Sequence, residues 1–295
     1  MTTTFVVDRS ERGKLALTGS EAKDFLHGQV TNDILGLSAG EGCYAAFLTH
    51  KGKMLGDLRV FDLGDELLLD CERVALQELF NMIRRFKLGR DVELHKRTLE
   101  MALLSVIGPD APRLAGEAEH SNARVEIGGK PAIAVTTDVG TDLFCAAEDK
   151  DAVRAALEFP DGTEADAEII RVERGIPRYG VDLDDSVIPQ EAGLNERAVS
   201  FTKGCYVGQE TVARLYYRGK PNRRLLGLRL SEPVESGTEL RLGEKVVGKL
   251  GSVVVSPEHG PIGLAIVRRE AAVGDTVSVN GATALLVEVP FTRSS

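Results

Sequence analysis

An α+β fold with a small closed β-barrel at its C-terminal end is what these 295 residues predict. Up to about residue 221, strand-like and helix-like runs mix without the strict strand–helix–strand alternation of a doubly wound parallel sheet. From about residue 222 the texture changes to short, valine-rich alternating runs. Turn pairs punctuate them at Ser236-Gly237, Leu242-Gly243, Gly260-Pro261 and Asn280-Gly281, the pattern of a small barrel. The length, close to that of two average domains, agrees with a boundary at the RGKPNR linker.

The elements follow in order. Thr18 and Glu21 stand at capping-box spacing, and SEAKDFLHGQV reads as a helix burying Phe25, Leu26 and Val30. CYAAFLT, KMLGDLRVFDL and DELLLDC read as strands, the last two joined at Gly64-Asp65. In ERVALQELFNMIRRFKLG, Val74, Leu76, Leu79, Phe80, Ile83 and Phe86 recur at helical spacing, and Gly89 is a natural stop. The strand DVELHKRT closes a first half, residues 1–99. The order then loosely repeats over 100–221. MALLSVIG is a buried strand, PDAPRLAGEA a helix opened by Pro109, and ARVEIGGKPAIAVTTD a hairpin turning at Gly128-Gly129. DLFCAA is a strand, and DKDAVRAAL, ADAEIIRVERG and GQETVARLYYRG are helices.

Composition narrows the function classes. Hydrophobic residues make up 43% and charged residues 27%, the balance of a soluble globular protein. No apolar run approaches a membrane span, and MTTTFVVDRSERGKL has neither a basic leader nor a cleavage site, so a cytoplasmic location is expected. The net charge of -9 disfavours a protein coated in nucleic-acid-binding surface. Cys43, Cys71, Cys145 and Cys205 are scattered and the five histidines are dispersed, so neither a disulfide framework nor a self-contained metal site is expected.

Residues 165–215 hold the unusual choices. Glu173 falls in the last turn of a helix, where a carboxylate meets the negative end of the dipole unless a partner such as Arg171 or Arg174 contacts it. YGVDLDDSVIPQEAGL is long and irregular, more typical of a functional loop than of filler. In FTKGCYVGQETVARL, Cys205 precedes a helix N-terminus and follows Lys203, an environment that favours thiolate. The residues alone leave open whether it is a nucleophile, a ligand, a contact to something bound or a side chain packed in a turn. The basic stretch RLYYRGKPNRR (Arg214, Arg218, Lys220, Arg223, Arg224) suits RNA, the anionic tail of a folate or plain solvation. IRRFKLGR (Arg84, Arg85, Lys87, Arg90) reads as the wet end of an amphipathic helix.

RVERGIPRYGVDLDDSVIPQEAGL followed by FTKGCYVGQE resembles the YgfZ family of folate-binding proteins, relatives of the glycine-cleavage T-protein aminomethyltransferases. The family signature K-G-C-Y-x-G-Q-E is complete at Lys203, Gly204, Cys205, Tyr206, Gly208, Gln209 and Glu210. The resemblance also covers YAAFLTHKGKMLGDLRVFDLGDELLLD and the C-terminal run, nearly the whole chain. It implies two ferredoxin-like halves around a central folate cleft within residues 1–221, plus a barrel over 222–295. It implies tetrahydrofolate or a derivative as cofactor and iron–sulfur client or assembly proteins as partners, with links to tRNA modification. On the T-protein pattern L-R-x-E-x-G-x-x-x-Y-G, Glu173 receives the pterin and Tyr179 stands at the cleft wall, while the YgfZ resemblance implies that the Lys203–Glu210 segment, with Cys205 near the cleft, supplies the family-specific function. The transferases carry an Asp-Asp pair where this chain has Gly56-Asp57. Asp57 alone can touch the folate, and the loss of its neighbour puts aminomethyl transfer in doubt. Two other readings stand beside this one: a true aminomethyltransferase, and an RNA-interacting scaffold.

Overall fold

The computed structural model describes residues 3–292. The larger part contains β1 (Phe5–Asp8), β2 (Gly13–Thr18), β3 (Gly42–Leu48), β4 (Met54–Asp62) and β5 (Leu67–Cys71). It continues with β6 (Glu93–Lys96), β7 (Met101–Ile107), β8 (Asn122–Ile127), β9 (Lys130–Thr137) and β10 (Gly140–Ala146). The helices are α1 (Ala22–Gln29), α2 (Leu76–Phe86), α3 (Lys150–Ala155), α4 (Glu164–Glu173), α5 (Asn195–Ala198) and α6 (Gln209–Arg218). The barrel strands are β11 (Arg223–Leu230), β12 (Glu239–Leu242), β13 (Lys245–Ser256), β14 (Gly260–Arg268), β15 (Thr276–Val279) and β16 (Ala282–Val287).

Two antiparallel sheets form, in the orders β3-β4-β5-β2-β6 and β1-β7-β10-β9-β8. Because alternate side chains leave a strand on opposite faces, each sheet has an outer face and an inner one. The outer face of the first carries Leu15, Leu17, Leu58, Val60, Leu67 and Leu69, packed on Phe25 and Leu26 of α1 and Leu79 and Ile83 of α2. The outer face of the second carries Leu104, Val106, Leu143 and Cys145 with Val153 of α3. The inner faces meet each other: Phe61 and Leu68 pack on Leu103, Val135 and Phe144. The barrel closes in the order β11-β14-β13-β12-β15-β16, with β11 also pairing β16, around its own apolar centre. Its first strand begins at Arg223, and residues 293–295 of the expected span lie outside the described residues.

β1, which falls in the approximate first half 1–99, pairs with β7 of the second, Val6 opposite Val106. Three expectations change. PDAPRLAGEA forms no helix. Pro112 has no N–H to donate, and the segment is tied down by side chains, Thr141 Oγ1 to the Pro112 carbonyl and Arg113 Nη1 to the Thr137 carbonyl. The Thr18–Glu21 capping box is absent, because the Thr18 hydroxyl pairs with His95 Nε2 across β2 and β6 while Glu21 accepts from the Asp91 N–H. The helix expected from Val74 begins only at Leu76: Val74 falls in a 3-10 turn ahead of α2 and is exposed, as is Phe86, and the buried stripe of α2 narrows to Leu79 and Ile83.

Candidate functional site

Beyond the apolar contact between the sheets, the inner faces separate into a cavity of about 180 Å³. A buried water needs roughly 10–15 Å³ on this measure, so the space is of ligand size. Its walls come from alternating inner positions: Asp57 and Arg59 on β4, Asp70 on β5, Asp142 on β10, with Tyr44, His120, Tyr179 and the N-terminal Arg9 and Arg12.

Charge is abundant here and nearly all of it is matched. Arg12 donates to both oxygens of Asp70 (2.8 and 2.9 Å) and also bonds Glu72. Arg59 reaches across the gap between sheets, giving Nε to Asp70 at 2.7 Å and Nη1 to Asp142 at 2.6 Å. Ser105 Oγ donates to the other Asp142 oxygen at 2.5 Å. Burial pushes the Asp70 carboxyl up, but Arg12 and Arg59 outweigh it and hold the group down at about 2. Glu119 pairs with Arg197 and Asp138 with Arg174.

Asp57 is the exception. Among the described carboxylates that line the cavity it alone has no ion pair; its one bond is from the Tyr44 hydroxyl, 2.7 Å to Oδ2. Burial raises its carboxyl to about 6, against that bond, with Glu72 and Asp70 adding repulsion. His120 is another buried wall residue, with φ 71°, a strained value for a non-glycine. Burial, with Arg59 and Arg197 nearby, lowers its ring to about 3, so it stays neutral.

Gly56 allows this arrangement. A Cβ there would lie 2.6 Å from the Phe47 ring and 2.7 Å from Ala75, so this packing admits no second acid beside Asp57.

Glu173 is placed elsewhere. Ala167, Ile170, Arg171 and Arg174 recur at i, i+3, i+4 and i+7 on the α4 face that lines the cavity. At 100° per residue, Glu173 points roughly a third of a turn away. It is not among the lining residues; its carboxylate accepts from Ser256 Oγ of β13 at 2.5 Å, at the seam to the barrel where Val172 also packs. The expectation set Glu173 against the pterin; here its carboxylate meets the barrel and does not line the cavity. α4 serves two neighbours, and its register gives the cavity to Arg171 and Arg174. Tyr179 does stand at the wall, its hydroxyl raised to about 12, first by burial and then by Asp185, Asp184 and Asp57.

The N-terminal part matches the GCVT N-terminal domain over residues 1–132, and the barrel matches the CAF17 C-terminal β-barrel domain over residues 222–292. An aminomethyltransferase of Thermotoga petrophila is 30% identical across 98% of this chain and 86% of its own. The chain belongs to the YgfZ family, kin of the glycine-cleavage aminomethyltransferases. The tRNA-modifying protein YgfZ of Colwellia psychrerythraea is 27% identical over 82% of this chain and 78% of its own length. In fold, the chain superposes on the Bartonella henselae glycine cleavage system aminomethyltransferase T with a TM-score of 0.86, covering 99% of this chain and 87% of the other at 21% identity.

The family signature, expected to hold Cys205 near the cleft, contributes no residue to the cavity lining. Lys203 is buried, and its ammonium donates to the carbonyls of Val30 and Asn32, each at 2.8 Å, and to that of His27. An ammonium has three protons, so this set leaves none for the Cys205 sulfur. Burial holds Lys203 down at about 8. Tyr206 is buried with Leu48, Met54 and Val212, and burial raises it to about 12. Gly208 takes φ 85° at the start of α6, where a Cβ would sit 2.6 Å from the Thr49 carbonyl. Gln209 opens α6 and donates its N–H to the Tyr206 carbonyl at 3.2 Å. Gly204, Cys205 and Glu210 are exposed. The string is thus a clamp that fixes α6 against α1 and presents one thiol outward.

Other singled-out residues are structural. Asp182 of the irregular loop accepts from Arg171 at 2.9 Å and from the Ser252 N–H at 2.7 Å, tying α4 to the barrel. Arg223 pairs with Glu191 and Arg224 with Glu288, whereas Arg214, Arg218 and Lys220 lie exposed. On the α2 side, Arg90 pairs with Asp24 and Lys87 donates to the Val92 carbonyl. Sequence reasoning missed Tyr44, Arg59, Asp70, Asp142 and His120. For Arg59 the available signal was charge at every second position of an otherwise apolar strand, as in Asp57-Leu58-Arg59; Asp70 and Asp142 are lone acids in apolar strands, and no local pattern marks Tyr44 or His120. Among the described residues no helix is long and apolar enough to cross a membrane.

Proposed function

We propose that the cavity binds a reduced folate, tetrahydrofolate or a derivative, and that the chain is a folate-dependent accessory protein. In this reading it supports assembly or repair of iron–sulfur enzymes, with links to tRNA modification. Membership in a folate-related family supports the ligand class. The observation that carries the reading is Asp57, a buried carboxylate on a ligand-sized cavity with no cation of its own. A flat heterocycle whose edge carries N–H donors supplies what that group lacks. Hydrogen bonds to a charged group contribute about 1.5–3 kcal/mol net. Tyr44 orients the carboxylate, and Tyr179, Ile170 and Ile176 give the walls flat and apolar surface. A bound reduced folate would supply a nitrogen able to carry a one-carbon unit.

The experiment is a calorimetric titration of tetrahydrofolate into wild type, Asp57→Asn and Glu173→Gln. The expected result is a loss of about 2 kcal/mol or more for Asp57→Asn, and unchanged affinity for Glu173→Gln. Unchanged affinity for Asp57→Asn overturns the reading. A turnover aminomethyltransferase is the second reading, favoured by the name of the Thermotoga relative. The missing acid at Gly56 argues against it, so no methylene-folate is expected from an aminomethyl-lipoyl carrier. The tRNA link is supported by the Colwellia relative's name. Cys205, exposed and outside the cavity, is positioned to meet a partner protein.

A further inference from the structure

We propose that the exposed face at α6 is a stacking platform for a single-stranded polynucleotide. The Phe201 ring lies on Tyr216 with centroids 3.7 Å apart and planes at 15°. Tyr217 meets both edge-on, at 5.0 Å from Tyr216 and 6.4 Å from Phe201. Tyr216 is 50% and Tyr217 66% exposed, so the trio is an open aromatic surface rather than core.

Arg214, Arg218 and Lys220 stand beside it, all exposed, and among the described residues none has an ion-pair or hydrogen-bond partner. Arg214, Tyr217 and Arg218 fall at i, i+3 and i+4, on one side of the helix. Arg223 and Arg224, close by in the chain, are both paired with glutamates, so the three free cations of this stretch are those that flank the rings. Rings that take bases and cations that take phosphates together are the two parts of a single-strand binding surface. An acidic peptide would satisfy the cations but leave the rings idle. A duplex offers phosphates while keeping its base faces inside. The platform shares no residue with the cavity lining, so it does not depend on the folate reading.

The test is fluorescence anisotropy of the full chain with a labelled oligouridylate of roughly twelve nucleotides, with its duplex and a polyglutamate peptide of equal charge as competitors. The single strand, and the matching oligodeoxythymidylate, should bind, and both competitors should displace poorly. Tyr217→Ala should weaken binding roughly tenfold or more, as loss of one stacked base implies, while Tyr217→Phe retains it. The slope of log K against log salt should be about -2 for three phosphate contacts, falling to about -0.7 in Arg218→Gln/Lys220→Gln. Unchanged binding in Tyr217→Ala, or displacement by polyglutamate as effective as by unlabelled oligouridylate, overturns the platform.

Discussion

The same four strands build both the dry and the charged part of the space between the sheets. On β4, Phe61 belongs to the apolar contact, and Arg59 and Asp57, two and four residues earlier on the same face, line the cavity. β5 offers Leu68 and then Asp70, β7 Leu103 and then Ser105, and β10 Phe144 and then Asp142. A step of two residues therefore changes core into site without changing the backbone. At the dry end any well-shaped apolar group serves, since the hydrophobic effect has no direction. At the charged end each group depends on a named partner, because a buried charge without one is costly.

Both ends break under single substitutions, and the way they are rescued should differ. Phe144→Ala is expected to cost about 3–5 kcal/mol in urea unfolding, with no charge change elsewhere restoring it. Arg59→Met should cost a similar 3–5 kcal/mol, because Asp70 and Asp142 lose their shared cation. Adding Asp142→Asn should recover part of that loss. Lack of recovery would mean that Arg59 acts by packing, as Phe144 does.

Asp57→Asn sharpens the contrast with the matched groups. The folded Asp57 carboxyl, at about 6, lies above the ordinary unfolded value of about 3.9. Between these values the native state binds more protons than the unfolded chain, so this group's contribution is full below about pH 4 and is lost as pH rises through 6. The Asp57→Asn variant should gain up to about 3 kcal/mol over wild type at pH 7. That gain should vanish near pH 4, while folate affinity drops. Asp70 has the opposite sign, its contribution being present above about pH 4 and lost as pH falls through 2. An Asp57→Asn protein no more stable than wild type at pH 7 would mean that the carboxylate is not strained by burial.

Smaller effects separate the inward and outward parts of the signature. Gly208→Ala should lose about 2 kcal/mol, from the left-handed backbone and the Thr49 carbonyl, read as a lowered Tm. Cys205→Ser should stay within about 0.5 kcal/mol, as exposed substitutions do. In a deletion strain it should still fail to restore iron–sulfur enzyme activity, and full restoration would remove the thiol from the proposed function.

Local periodicity was enough for much of this protein. The apolar stripe of α2, the hairpin at Gly128-Gly129, the end of α4 before Gly175 and the barrel's turns at Ser236-Gly237, Leu242-Gly243 and Asn280-Gly281 follow from side-chain spacing and from glycine's freedom, whereas the expected turn at Gly260-Pro261 is the start of β14 and the chain reverses just before it. The signature likewise marked Lys203–Glu210 as special. Tertiary structure decided what lies opposite each face. Arg59 and Asp142 meet from positions 83 residues apart, and nothing in either strand names the other. Glu173 shows the same limit. Its helix was legible, but the helix lies between a cavity and a barrel, and only their packing determines which neighbour its carboxylate meets. Spacing along a chain fixes which side chains point together, whereas the partner they point at is set by contacts distant in sequence.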